Sequence, residues 1–164
     1  MIGIVNGCRE QKNYEKWLTH FGLSYIIVDD EKKLENISCA VFCGGADFGK
    51  RPERDLFEKN IYLQCKLKEI PVIGICRGMQ LVCMLEGSQI VDLADHQSEY
   101  HCADENKKSR WHNISFTNGD SFRVNSRHHQ RVLVLPNLFH TIGYDEYKIP
   151  EPQHVHLSQI NQVP

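Results

Sequence analysis

Val72-Ile73-Gly74-Ile75-Cys76-Arg77-Gly78-Met79-Gln80 is an apolar run that stops at a cysteine set between two glycines. Val72 to Ile75, apolar throughout and preceded by Pro71, reads as a parallel strand buried on both faces. Met79 to Glu86 reads as a short helix closed by Gly87, so Cys76 occupies the turn from strand to helix. Gly74 and Gly78 stand two residues to either side of it. A nucleophile elbow needs small residues there, because its sharp turn brings strand and helix close together. The helix that follows aims free N–H groups and the positive end of its dipole at the thiol, which favours the thiolate. The Arg77 N–H is then the first candidate donor to an oxyanion. A buried structural cysteine is the plainer reading of Cys76 taken alone. The paired glycines, and a second glycine pair further upstream, weigh against it.

Upstream the same alternation repeats. Ile2 to Val5 ends in the turn pair Asn6-Gly7 and reads as a strand. Tyr14, Trp17, Leu18 and Phe21 then fall at i, i+3, i+4 and i+7, one face of a helix that Gly22 closes. Tyr25 to Val28 and Cys39 to Cys43 are further strands, and the latter runs straight into Gly44-Gly45, a loop that can approach a ligand closely and supply the second oxyanion donor. From Pro52 to Ile70 the apolar positions Leu56, Leu63, Leu67 and Ile70 keep near-helical spacing, with Pro52 placed to open a helix and Pro71 to end it. Strands alternating with helices predict a doubly wound α/β sheet, whose sites gather beyond the carboxyl ends of the strands. Gly44-Gly45 and Cys76 both lie at such ends.

After Val91 the pattern changes. A polar stretch from Asp92 to Arg110 reads as a loop at the rim of a site. Asn113 to Phe116 and Phe122 to Val124 read as strands around an Asn118-Gly119 hairpin turn, with further short strands at Arg131 to Leu135 and Thr141 to Tyr144. The tail from Pro150 has no clear period.

Composition excludes several classes. The 164 residues suit one domain, and 41% hydrophobic with 24% charged residues supports a packed core. A net charge of −2 lacks the basic excess of a protein built to grip a phosphate backbone, so nucleic acid is a poor partner. No apolar run approaches the roughly 18 residues of a membrane span, and the start carries no basic region ahead of an apolar one. The expectation is a soluble, cytosolic protein. Seven cysteines, an odd number without a CxxC pair, read as reduced thiols. Eight of the nine histidines follow residue 95, which marks either a polar functional surface or compositional chance. His96, His101, Cys102, His128, His129, His154 and His156 are conceivable metal ligands. Only His101-Cys102 and His154-x-His156 form close pairs, so hydrogen-bonded or solvated histidines are the better account and no metal is assigned.

Taken together, these residues resemble the class I glutamine amidotransferases, and most closely the branch of γ-glutamyl hydrolases. Cys43-Gly44-Gly45-Ala46-Asp47 resembles that family's GGxD loop, Arg54-Asp55 with Glu58 the start of its next helix, and Gly74 to Gln80 its nucleophile motif. Asn125-Ser126-Arg127-His128-His129-Gln130 is similar to the branch's NSxHHQ segment, and Trp111-His112 stands where the branch has a short strand. The resemblance covers residues 1 to 145 and implies a flavodoxin-like three-layer α/β/α sandwich with a mostly parallel central sheet. It further implies acyl transfer from a γ-glutamyl amide: attack by Cys76, loss of ammonia or an amine, and hydrolysis of a thioester. The backbone N–H groups of Gly45 and Arg77 would hold the oxyanion. Gly44, Gln80 and the backbone of Ser126, Arg127 and His128 would line the glutamyl pocket. Gln80 as a plain exposed helix residue stays open, as do His128 and His129 shaping the wall without doing chemistry. No cofactor is called for, and an ammonia-accepting synthase or ligase is the conceivable protein partner.

The family's general base is a late histidine followed two residues on by a glutamate, in a motif ending HPE, and this chain has no such motif. Its tail reads Pro150-Glu151-Pro152-Gln153-His154-Val155-His156, with nothing acidic after either histidine. A missing base lowers turnover by orders of magnitude, because the imidazole also protonates the leaving group. Three explanations compete: a chain truncated or divergent before the closing strand, a substitute base among His154, His156 and His128, or a pocket that binds a γ-glutamyl ligand and has lost catalysis.

Overall fold

The computed structural model describes residues 1–8, 11–92, 110–126, 128–133 and 139–145. In chain order the first half contains β1 (Ile2–Val5), α1 (Gln11–His20), β2 (Tyr25–Val28), a 3-10 helix (Glu31–Asn36), β3 (Cys39–Phe42), α2 (Pro52–Leu67), β4 (Val72–Gly74) and α3 (Arg77–Leu85). The strands form one parallel sheet in the order β2-β1-β3-β4. Ile2 lies beside both Tyr25 and Cys39, and Phe42 beside Gly74, so the four carboxyl ends line up and the loops after β1, β3 and β4 meet on one edge.

Alternation along each strand divides the core between two faces. Ile4, Val41 and Cys43 pack with Leu18 of α1, while Val5, Val28, Ala40, Phe42 and Val72 pack with Ile61, Tyr62 and Cys65 of α2 and with Met79, Val82 and Cys83 of α3. Helices on both faces of a mostly parallel sheet make the expected flavodoxin-like α/β/α sandwich. The six cysteines among the described residues form no disulfide. No helix among them is long and apolar enough to cross a membrane.

Three differences from the sequence reading have physical causes. The row Leu56, Leu63, Leu67 faces solvent, at 61%, 42% and 76% exposure, and α2 instead turns Arg54, Glu58, Ile61, Tyr62 and Cys65 inward. That inward face carries charges satisfied by ion pairs, so hydropathy alone points to the opposite side of the helix. On α1 only Leu18 of the apolar row is fully buried, with Trp17 and Phe21 exposed in an edge-to-face contact 6.3 Å between centroids. Finally, α3 begins at Arg77, immediately after Cys76, two residues earlier than its apolar pattern suggests.

In the second half β5 (Ile90–Asp92) pairs antiparallel with β8 (Gln130–Val132), while β6 (Arg110–Phe116) pairs with β7 (Ser121–Ser126) and with β9 (Gly143–Tyr144). The Asn118-Gly119 turn joins β6 to β7 as expected, with Gly119 at φ +94°. The 3-10 helix and β5, both short, have no counterpart in the sequence reading. The 3-10 helix is set by Asp30, whose carboxylate accepts from the Lys32 N–H at 2.8 Å. Residues 93–109, the end of the strand expected at 131–135 and the tail from Pro150 lie outside the described residues.

Candidate active site

Cys76 sits at φ 52°, ψ −114°, a backbone state that residues other than glycine rarely adopt, as the N-cap of α3. The glycines around it are there for space. A Cβ on Gly74 would stand 2.6 Å from Met79 Cα, and one on Gly78 only 2.1 Å from the Phe42 carbonyl oxygen. The strand-to-helix turn is therefore packed as tightly as an elbow requires.

The Gly44-Gly45 loop after β3 closes the other side. A Cβ at Gly44 would lie 3.4 Å from Cys76 Cβ, which places this loop against the nucleophile. The Gly44 N–H donates to the Tyr14 hydroxyl at 3.0 Å. Burial raises the Tyr14 phenol to about 12, so the hydroxyl stays protonated. In the sequence Tyr14 belongs only to the apolar row of α1, and nothing there marks it as a support for the glycine loop.

The thiol departs from the sequence expectation. Burial pushes the Cys76 thiol up, the hydrogen bond from the Arg77 N–H pulls it down, and the Asp47 carboxylate raises it again, for a net upward shift. The helix N-terminus does stabilise the thiolate, but desolvation outweighs it.

A buried charge network lies beneath both loops. Arg54 Nε donates to Glu58 Oε1 at 2.8 Å, and Arg54 Nη2 donates to the carbonyls of Cys43 and Gly44, each at 3.1 Å. The Arg77 guanidinium pairs with Glu58 Oε2 and Asp55 Oδ1 and lies 4.3 Å from the centroid of the Phe48 ring. Asp55 Oδ2 also accepts from the Gly49 N–H at 2.8 Å. Glu58 is completely buried between the two arginines. The sequence motif Arg54-Asp55 with Glu58 flags these residues without disclosing that they hold the loops.

Of the remaining expected site residues, Gln80 is buried on the first turn of α3, its N–H donating to the Cys76 carbonyl at 3.0 Å, so it is not a plain exposed helix residue. His128 is buried, with Nδ1 2.9 Å from the Gln130 carbonyl oxygen. His129 is brought to the glycine loop, its Nε2 3.1 Å from Asp47 Oδ2. Ser126 ends β7 opposite Arg110. Arg127, His154 and His156 lie outside the described residues, as do His96, His101 and Cys102. Among the described residues no three His, Cys, Asp or Glu side chains are grouped to hold a metal ion.

A cysteine at a strained elbow, facing a glycine loop across the carboxyl edge of a parallel sheet, is the arrangement of a class I glutamine amidotransferase. The family model of peptidase C26 matches residues 45–158, and the chain belongs to that family. Solved structures similar in fold include a protein from Thermoplasma acidophilum described as part of a GMP synthase, at TM-score 0.71 and 18% identity, over 92% of this chain and 75% of that one. A glutamine amidotransferase from Thermotoga maritima superposes at TM-score 0.67 and 19% identity, over 92% and 69%. Another from Methylobacillus flagellatus does so at 0.61 and 14%, over 92% and 63%. Comparison with curated proteins by sequence gave no match. Family and fold support a cysteine-dependent amidase or amidotransferase that acts on glutamine-type amides.

Proposed function

We propose that the chain hydrolyses a γ-glutamyl amide, either glutamine or a small γ-glutamyl conjugate, through a thioester on Cys76. The carrying observation is the positive-φ elbow at Cys76, packed between Gly74 and Gly78 and set against Gly44. The Cys76 sulfur attacks the side-chain carbonyl carbon, the C–N bond breaks, and ammonia or an amine leaves with a proton. Water then cleaves the thioester, returning the thiol and releasing glutamate. The N–H groups of Gly45 and Arg77 receive the oxyanion in both steps, and Gln80, Gly44 and the segment Ser126 to His128 bind the glutamyl group. A His128 ring whose Nδ1 donates to a carbonyl oxygen leaves Nε2 as its basic nitrogen, and His128 competes with His154 and His156 for the role of base.

The similarity of the segment 125–130 to the γ-glutamyl hydrolase branch favours a free-standing hydrolase. The likeness to a protein described as part of a GMP synthase supports the alternative of ammonia passed to a partner synthase or ligase. A further reading is a pocket that binds a γ-glutamyl ligand without turning it over, in keeping with the lack of an HPE motif in the sequence. The test is glutamate release from glutamine and a panel of γ-glutamyl amides by the intact chain and by Cys76→Ala. Release that depends on Cys76 supports the hydrolase. Ligand binding without release supports the binding module.

A further inference from the structure

We propose that Arg54 is a positioning residue that keeps the oxyanion hole formed before substrate arrives, by anchoring the Gly44–Gly45 peptide. The inference rests on the hydrolase reading above. The Gly44 carbonyl accepts from Arg54 Nη2 at 3.1 Å, and the chain has no cis peptide bond among the described residues. In a trans peptide N–H and C=O point in opposite directions. Holding the Gly44 carbonyl on Arg54 therefore aims the Gly45 N–H away from Arg54, toward the side where Gly44 faces Cys76. Among the described residues no acceptor takes that N–H.

Gly45 itself completes the fit. Its φ of +151° is glycine territory, and a Cβ there would lie 2.2 Å from Arg54 Nη1. The guanidinium thus packs directly under the loop, with its second carbonyl bond, to Cys43, preventing rotation of the preceding peptide. Glu58 extends the device to the other donor. One of its oxygens takes Arg54 Nε and the other takes Arg77 Nη1, so a single buried carboxylate fixes the supports of both oxyanion donors. A planar fork that can reach a carboxylate and two carbonyls at once is specific to arginine, and lysine keeps the charge without the fork.

The experiment compares the intact chain with Arg54→Lys and Arg54→Gln. Losing one oxyanion donor is expected to lower kcat by about 10²–10³-fold. KM should stay within about threefold, the pattern of an interaction made only in the transition state. Alkylation of Cys76 by iodoacetamide develops no oxyanion and is expected to stay within about twofold, which reports an intact elbow. A crystal structure of Arg54→Lys should show the Gly44–Gly45 peptide rotated. Unchanged kcat in a folded Arg54→Lys, or a fall in alkylation matching the fall in kcat, overturns the proposal. If the unsubstituted chain releases glutamate from no amide, the hydrolase reading fails, and the peptide orientation in Arg54→Lys alone decides the positioning role: retained orientation overturns it.

Discussion

His129 Nε2 stands 3.1 Å from Asp47 Oδ2, joining the glycine loop after β3 to a segment 82 residues later in the chain. The pair is half open to solvent, and the Asp47 charge is one of the influences that raise the Cys76 thiol. Burial is the main reason the thiol is raised, and a carboxylate charge that also disfavours the thiolate adds to it. Asp47→Asn is therefore expected to lower the Cys76 pKa. The pH profile of alkylation by iodoacetamide should shift its midpoint to lower pH, and a midpoint that does not move removes Asp47 from the electrostatics of the site.

The glycines at the elbow should differ sharply from glycines elsewhere. Gly78→Ala puts a methyl 2.1 Å from the Phe42 carbonyl oxygen, and neither backbone can yield without separating α3 from β3. A loss of at least about 3 kcal/mol is expected, at the upper end for overpacking. Gly22→Ala, at φ +67° with nothing within 4 Å, meets only backbone strain and should cost roughly 1 kcal/mol. Urea denaturation of the two variants measures the contrast, and equal losses would mean that the elbow has slack.

How far the sequence can be read follows from where its signals are local. The β1, β2, β3 and β4 runs and the Cys76 elbow are legible because apolar runs and paired glycines report on their own surroundings. The inward face of α2 is not, since Arg54 and Glu58 are buried only because Arg77, 19 residues beyond Glu58, completes the network. Tyr14 escapes notice for the same reason: its hydroxyl matters through Gly44, 30 residues away. The direction of the thiol shift depends on burial and the Asp47 charge set against the N–H and the charge of Arg77, a balance that spacing along the chain does not carry.

Buried acids that hold their protons make the fold sensitive to alkali. Burial raises Cys65 and Cys83 to about 12 from an ordinary 9.0, and Tyr62 is pushed up as well, by burial and by its 2.7 Å hydrogen bond to Glu86. Between those values the unfolded chain has lost thiol protons that the native chain keeps. Stability is then fully present below pH 9 and falls as pH rises toward 12. The urea midpoint, measured with a reductant present, should decline from pH 9 upward, and Cys65→Ala should flatten that decline while lowering stability at neutral pH through the cavity it leaves. A slope identical in the variant would show that Cys65 does not contribute to the linkage.

The elbow also stores strain. Cys76 at φ 52°, ψ −114° is held by the packing of Gly74 against Met79 and of Gly78 against Phe42, and such a state costs about 1–3 kcal/mol for a residue with a Cβ. Glycine adopts it freely but adds roughly 0.5–1 kcal/mol of unfolded-state entropy. The strain term is the larger, so Cys76→Gly should be more stable than Cys76→Ala by about 1 kcal/mol. Both should release no glutamate from any γ-glutamyl amide. Thermal denaturation of the two variants under one buffer decides the point: an alanine variant as stable as the glycine one would mean that the turn is relaxed, and that the nucleophile is displayed by packing alone.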